Sequence, residues 1–124
     1  MLKDGRAGAT LPASDLQRAK GFYKGLGFEE EEDPGGVIYR CAEGTGFMVF
    51  QSSGAPSGTH TQVGFEVKDL EAEMADLRSR GVTFEEYDFP GMKTENGVLT
   101  MPEGKGAWFK DTEGNLLSLF SPSS

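Results

Sequence analysis

Several residue types with which proteins do chemistry are scarce in this chain: its 124 residues include one cysteine, one histidine and one tryptophan. A lone Cys41 cannot form an internal disulfide and reads as a small buried residue beside a turn. With only His60 to call on, neither a histidine-rich metal cluster nor a Ser-His-Asp or Cys-His nucleophile can be assembled from the text. No apolar run approaches the length of a spanning helix, so no membrane partner is expected. The opening MLKDGRAGAT lacks the apolar stretch and small-residue cleavage site of a secretory signal, which points to the cytoplasm. Basic residues are also few: 12 Lys and Arg against 20 Asp and Glu leave a net charge of −8. That balance repels phosphate backbones and anionic lipid, arguing against a nucleic-acid partner, and favours the approach of a cationic small molecule. What remains, 36% hydrophobic, 26% charged and 10% aromatic, is the composition of one soluble domain spanning 1–124.

What the chain does have is an internal repeat. SDLQRAKGFYKGLG (14–27) and KDLEAEMADLRSRG (68–81) each run from a polar cap through Asp-Leu and an amphipathic stretch to a glycine. Each predicts one capped helix, with Leu16, Ala19, Phe22, Tyr23 and Leu26 on the apolar face of the first and Leu70, Met74, Ala75 and Leu77 on that of the second. GVIYRCAEGTGFMVFQ (36–51) and GAWFKDTEGNLLSLFS (106–121) align without a gap, and both read as hairpins around a Glu-Gly turn. FEEEED (28–33) and TFEEYD (83–88) supply an acidic outer strand to each half, and RAGATLPA (6–13) and TQVGFEV (61–67) a first strand. The fold class that follows is α+β: two βαβββ modules in tandem, about 5–52 and 61–122, each a curved mixed sheet carrying one helix, the sheets enclosing a cavity.

Strand alternation sorts the side chains. If the second turn is Thr112-Glu113-Gly114, Trp108 stands opposite Ser118 and Phe109 opposite Leu117. Phe109, Leu117 and Leu119 then face the helix, leaving Trp108, Lys110, Leu116, Ser118 and Phe120 on the open face. The first half gives Ile38 opposite Met48, with Arg40, Gly46 and Phe50 on the same open face. Val63, Phe65 and Val67 face the helix and leave Gln62, Gly64 and Glu66 opposite; Ala9 and Leu11 leave Gly8 and Thr10. The ligand-binding candidates are therefore Thr10, Ile38, Arg40, Met48, Phe50, Gln62, Glu66, Trp108, Ser118 and Phe120. A mostly apolar surface with a few polar groups suits a small-molecule pocket, while the same residues also suit a collapsed core. Glu66 reads as an ion-pair partner of Arg40 or Lys110. The Gly- and Pro-rich stretch 87–106 has no counterpart in the first half. It is read as a lid or specificity loop with Tyr87, Phe89 and Met92 as its apolar contacts, or as a dimer contact.

The repeated plan, with LPASDLQRAKGFYKGLGFE, VGFEVKDLEAEMADLRSRGV and WFKDTEGNLLSLF as its carriers, resembles the vicinal oxygen chelate superfamily of glyoxalase I, extradiol dioxygenases, fosfomycin-modifying enzymes and bleomycin resistance proteins. The resemblance implies a homodimer. It also implies four metal-ligand positions in the metal-dependent members, one from the first and one from the last strand of each module; by their offsets they fall on Gly8, Met48, Gln62 and Ser118. Glycine has no ligating side chain, methionine is soft, and neutral Gln and Ser bring no charge. His60, two residues before Gln62, becomes a ligand only if the register slips. The expectation is a protein without a metal or other cofactor that binds a small, partly aromatic, possibly cationic molecule, with binding favoured over catalysis. A metal-dependent glyoxalase- or dioxygenase-like enzyme and a structural or interaction protein are the alternatives.

Overall fold

The computed structural model describes residues 1–123, and the chain divides into two compact units, 1–56 and 57–124. The first unit runs β1 (Ala9–Ala13), α1 (Leu16–Gly25), β2 (Glu30–Asp33), β3 (Gly36–Arg40) and β4 (Gly46–Gln51). Its sheet has the order β1-β4-β3-β2, with β1 parallel to β4 and the other pairs antiparallel. The second unit holds β5 (Thr61–Glu66), α2 (Leu70–Ser79), two short strands β6 (Asp88–Phe89) and β7 (Met92–Lys93), then β8 (Leu99–Met101), β9 (Gly104–Lys110) and β10 (Leu116–Pro122). Its main sheet has the order β5-β10-β9-β8, again with one parallel pair, β5 with β10. The α+β reading of two mixed sheets with one helix each therefore holds.

The helices start and stop where local chemistry dictates. The Asp15 carboxylate accepts from Arg18 N at 3.0 Å and the Asp69 carboxylate from Ala72 N at 3.1 Å, each satisfying an N–H that the first turn leaves orphaned. Past the other ends, Gly27 and Gly81 adopt φ of 97° and 96°, a conformation that disfavours any residue with a Cβ. A second pair of anchors repeats in the two units. Gln51, at the end of β4, accepts from Leu16 N and donates to Ser14 O, while Ser121 at the matching point of β10 donates to Lys68 O.

The hairpin registers agree with the alternation count: Ile38 pairs with Met48, Trp108 with Ser118 and Phe109 with Leu117. The helix-facing residues Val37, Tyr39, Val49, Phe109, Leu117 and Leu119 are all buried. In the first unit Tyr23, Phe28, Tyr39 and Phe47 pack with ring centroids 5.0 to 5.9 Å apart.

Four expectations change. Ala75 is exposed: Leu70, Met74 and Leu77 alone are buried on α2, because a helix on one sheet face needs only a narrow stripe. Residues 83–88 do not form the fourth strand of the second sheet. Phe84 makes one bridge to Phe109, Glu85 N donates to Trp108 O at 2.7 Å, and the rest of that edge goes to β8 from the stretch read as loop. The first turn is a short 3₁₀ segment, Ala42–Gly44, with Glu43 as well as Gly44 at positive φ. Finally, strict alternation fails in β5. Thr61 pairs with Leu116 but Val63 with Leu117, so Gln62 is the extra residue of a bulge. Thr61, Gly64 and Glu66 consequently come into register with Leu116, Ser118 and Phe120.

Candidate functional site

In the first unit the open sheet face forms a concavity of about 730 Å³, lined by Thr10, Asp33, Ile38, Arg40, Phe47 and Met48 among others. Four of the expected site residues, Thr10, Ile38, Arg40 and Met48, thus come together there. Phe50 is half-buried, paired with Pro12, and is not part of that lining. Arg40 is committed to Glu31, with guanidinium-to-carboxylate contacts of 3.0 and 3.2 Å. That hydrogen-bonded pair holds the Glu31 carboxyl below and the Arg40 guanidinium above their ordinary ranges. Glu66 takes neither of the cations expected of it, since Lys110 lies 3.8 Å from Glu85. Glu66 lies on the edge strand β5 opposite Phe120 of β10, whereas Glu31 lies on β2 beside the strand that carries Arg40 and Glu85 N donates to Trp108 O on the strand that carries Lys110.

The second unit has a concavity of about 480 Å³ bordered by Trp108, Tyr87, Phe89, Met92, Glu85 and His60. The rings of Trp108 and Tyr87 meet edge to face at 5.9 Å, and Tyr87 meets Phe89 at 6.0 Å. Trp108 is anchored by Thr61 of the same lining, its indole N–H donating to Thr61 Oγ1 at 3.1 Å. The bulge is what brings Thr61 to this face, a contact no alternation count could find. Phe89 and Met92 arrive on the β6–β7 hairpin, whose base is knotted by buried Thr94: its N–H donates to Tyr87 O, and its hydroxyl accepts from Tyr87 N. Phe89 remains 53% exposed, an uncovered aromatic ring at a rim. Burial and the neighbouring Glu85 charge push the Tyr87 phenol up, so it is neutral at physiological pH.

Gln62, Glu66, Ser118 and Phe120 lie outside that lining. Ser118 is tucked against Gly64, where an added Cβ would stand 3.1 Å from its hydroxyl. Phe120 packs its ring tip on Gly104. His60 precedes β5 in an exposed loop, with Nδ1 2.9 Å from the Ser57 hydroxyl, and the bulge removes the alternation that would have tied it to the face of Gln62. Cys41 is half-buried, and burial raises its thiol pKa, the opposite of an activated nucleophile.

The donor chemistry at the four metal-ligand positions can be tested directly. Gly8 is exposed and has no side-chain donor, Met48 offers a thioether, and Ser118 a hydroxyl. Gln62 alone shows a feature of interest, a buried carboxamide oxygen with no hydrogen-bond partner. One neutral oxygen does not hold a divalent ion. Among the described residues no three His, Cys, Asp or Glu side chains lie together as a metal site. These residues do not fit the family's metal.

A tandem pair of mixed βαβββ sheets, each with one helix and a concave open face, defines the class of protein. A family model described as Glyoxalase/Bleomycin resistance protein/Dioxygenase superfamily matches residues 7–119, and the chain belongs to that superfamily. Among solved structures it is similar to TnmS3, an antibiotic binding protein from Streptomyces sp. CB03234, at 26% identity and a TM-score of 0.65 over 92% of each chain. A bleomycin-binding protein complexed with bleomycin is similar in fold, at 22% identity and a TM-score of 0.71 over 96% of this chain and 99% of that one. So is the fosfomycin resistance protein FosX from Listeria monocytogenes, at 16% identity and a TM-score of 0.72 over 96% and 91%. No curated protein matches the chain. Among the described residues no helix is long and apolar enough to cross a membrane.

Proposed function

We propose that this protein is a metal-independent binding protein for a small, planar, partly aromatic molecule bearing positive charge, acting in the cytoplasm as a homodimer of a single domain. The observation that carries the reading is the aromatic rim of Trp108, Tyr87 and Phe89 around a 480 Å³ concavity. Because the indole N–H is spent on Thr61, Trp108 has its ring to offer a ligand, and each good stacking contact contributes about 1 kcal/mol beyond burial. Glu85 is within 3.8 Å of Lys110, too long for a hydrogen bond, so a ligand cation can compete for that carboxylate. The net charge of −8 draws the same class of ligand. TnmS3 is an antibiotic binding protein, which supports an antibiotic-sized ligand here.

Trp108 is the only tryptophan, so its fluorescence reports on the site without labelling. Titration with planar cationic dyes and antibiotics is expected to quench it and to raise the melting temperature. A ligand at a hundred times its Kd adds about 2.7 kcal/mol of stability. Trp108→Ala is expected to abolish the thermal shift, and Trp108→Phe to keep most of it. If no compound of the panel shifts the melting temperature, or if the Trp108→Ala chain responds like the wild type, binding at this rim is refuted. Elemental analysis of untagged protein showing one zinc, nickel, manganese or iron per chain would refute metal independence, and sedimentation as a monomer would refute the dimer.

A further inference from the structure

Away from the aromatic rim, the chain contains one Asn-Gly pair, Asn96-Gly97. We infer that Asn96 is a deamidation site that the folded protein holds closed. In a flexible chain this pair is prone to a reaction with its own backbone. The amide nitrogen of the glycine loses its proton to hydroxide and attacks the side-chain carbonyl carbon of the asparagine. The carbon–nitrogen bond of the carboxamide breaks and ammonia leaves. Water then opens the five-membered imide to aspartate or isoaspartate, so one water is consumed for each ammonia released. Glycine favours the step because no Cβ obstructs the approach and its backbone turns freely.

Here the nucleophile and its peptide are both restrained. Asn96 and Gly97 form the corner of a tight turn with φ of 52° and 80°, closed by hydrogen bonds in both directions between Glu95 and Val98. The Gly97 N–H donates to Glu86 Oε1 at 2.8 Å. The carbonyl of Asn96, the other end of the same peptide unit, accepts from the Arg78 guanidinium at 2.8 Å. Thr94 Oγ1 donates to the same Glu86 oxygen at 2.6 Å, so the carboxylate is fixed as well. The Glu86 carboxylate beside the amide proton opposes its loss, and with both ends of the peptide unit hydrogen-bonded the plane cannot turn freely to bring the nitrogen onto the side-chain carbon. Gly97 is buried although Asn96 is exposed; a Cβ there would stand 3.1 Å from both Met74 Cε and Phe84 Cβ, leaving the backbone little room to swing.

The chain supplies its own control. Asn115, the other asparagine, is followed by Leu116, is fully buried, and its carboxamide donates to Asp111 at 2.8 Å. The test is peptide-mapping mass spectrometry of the full chain held at mildly alkaline pH, native and in denaturant. Asn96 is expected to convert in denaturant and to react roughly tenfold to a hundredfold more slowly in the native protein, the range a hydrogen bond to a charged group gives a local opening equilibrium. Glu86→Ala, shown folded by circular dichroism, should accelerate conversion at Asn96 and leave Asn115 unchanged. Glu86→Gln, which keeps an acceptor oxygen without its charge, should fall between. Equal rates in native and denatured wild type would overturn the inference, and so would a folded Glu86→Ala chain that reacts no faster. Should Glu86→Ala fail to fold, Glu86→Gln decides: acceleration supports the clamp and an unchanged rate overturns it.

Discussion

In the first module Tyr23, Phe28, Tyr39 and Phe47 fill the space between helix and sheet; at the matching positions of the second stand Leu77, Val82, Phe109 and Leu117. On the open faces the order reverses: Ile38 and Met48 in the first module correspond to Trp108 and Ser118 in the second. One module therefore uses its aromatic rings to hold the helix, and the other uses Trp108, with Tyr87 and Phe89 from the stretch that has no counterpart, to build a rim. The helix side must be apolar and filled in both modules, but any combination of large and small side chains that closes the volume will serve. The open face carries no such demand, so its chemistry is free to differ.

The heaviest blow to the comparison should come from Tyr23→Ala. It empties the centre of the aromatic cluster, and about 3–5 kcal/mol should be lost in denaturant unfolding, against about 2–3 kcal/mol for Leu77→Ala at the matching site. Equal losses would break the claim that the first module relies more on its aromatic centre than the second does on Leu77. Next come the turns. Asp111 is buried and accepts from Glu113 N, Asn115 N and Asn115 Nδ2, so Asp111→Ala should cost about 2 kcal/mol. Cys41, its counterpart, makes no such side-chain bonds, and Cys41→Ala should stay within about 1 kcal/mol by the same measurement.

A pH-dependent effect separates the modules in alkali. The Tyr39 hydroxyl is buried without a hydrogen-bond partner, and burial, aided by the charges of Glu30 and Glu32, pushes its pKa up to about 12. Its neutral form is the one that fits the fold. Above the unfolded value near 10 the unfolded chain gives up that proton while the native one keeps it, so stability falls as pH rises from about 10 to 12. Tyr39→Phe should flatten that decline, as Phe109 already does at the matching position, and should raise neutral-pH stability by about 1 kcal/mol because an unsatisfied hydroxyl is removed. Smallest of all, Thr61→Val should leave stability within about 1 kcal/mol yet change the Trp108 emission, as the indole N–H loses its partner. An unaltered spectrum would break the link between the bulge and the rim.

The boundaries of the helices, the two hairpin registers and the division of β9 and β10 into a buried and an open face were legible in the text. Each depends on neighbours: an Asp three residues from the N–H it caps, a glycine at a turn, a period of two along one strand. Residues 83–88 read as an acidic outer strand because they follow the second helix as 28–33 follow the first, yet a sheet edge is awarded by competition between segments, and β8 took most of it. The loop 87–106 was legible as an insertion and its Tyr87, Phe89 and Met92 as contacts, but Thr94, whose hydroxyl ties its base, looked like any polar loop residue.

For the candidate site the split is similar. At the four ligand positions that the family resemblance implies, residue identity shows Gly8, Met48, Gln62 and Ser118 to be a weak donor set, and hairpin register, which follows from local order, sets Trp108 across from Ser118. Tertiary structure decided that Thr10, Ile38, Arg40 and Met48 share one concavity while Trp108 joins Tyr87, Phe89 and Glu85 in another. It also decided that Thr61 rather than Gln62 reaches the indole, since one unpaired residue shifts every partner beyond it and nothing in the composition of TQVGFEV marks where the bulge falls.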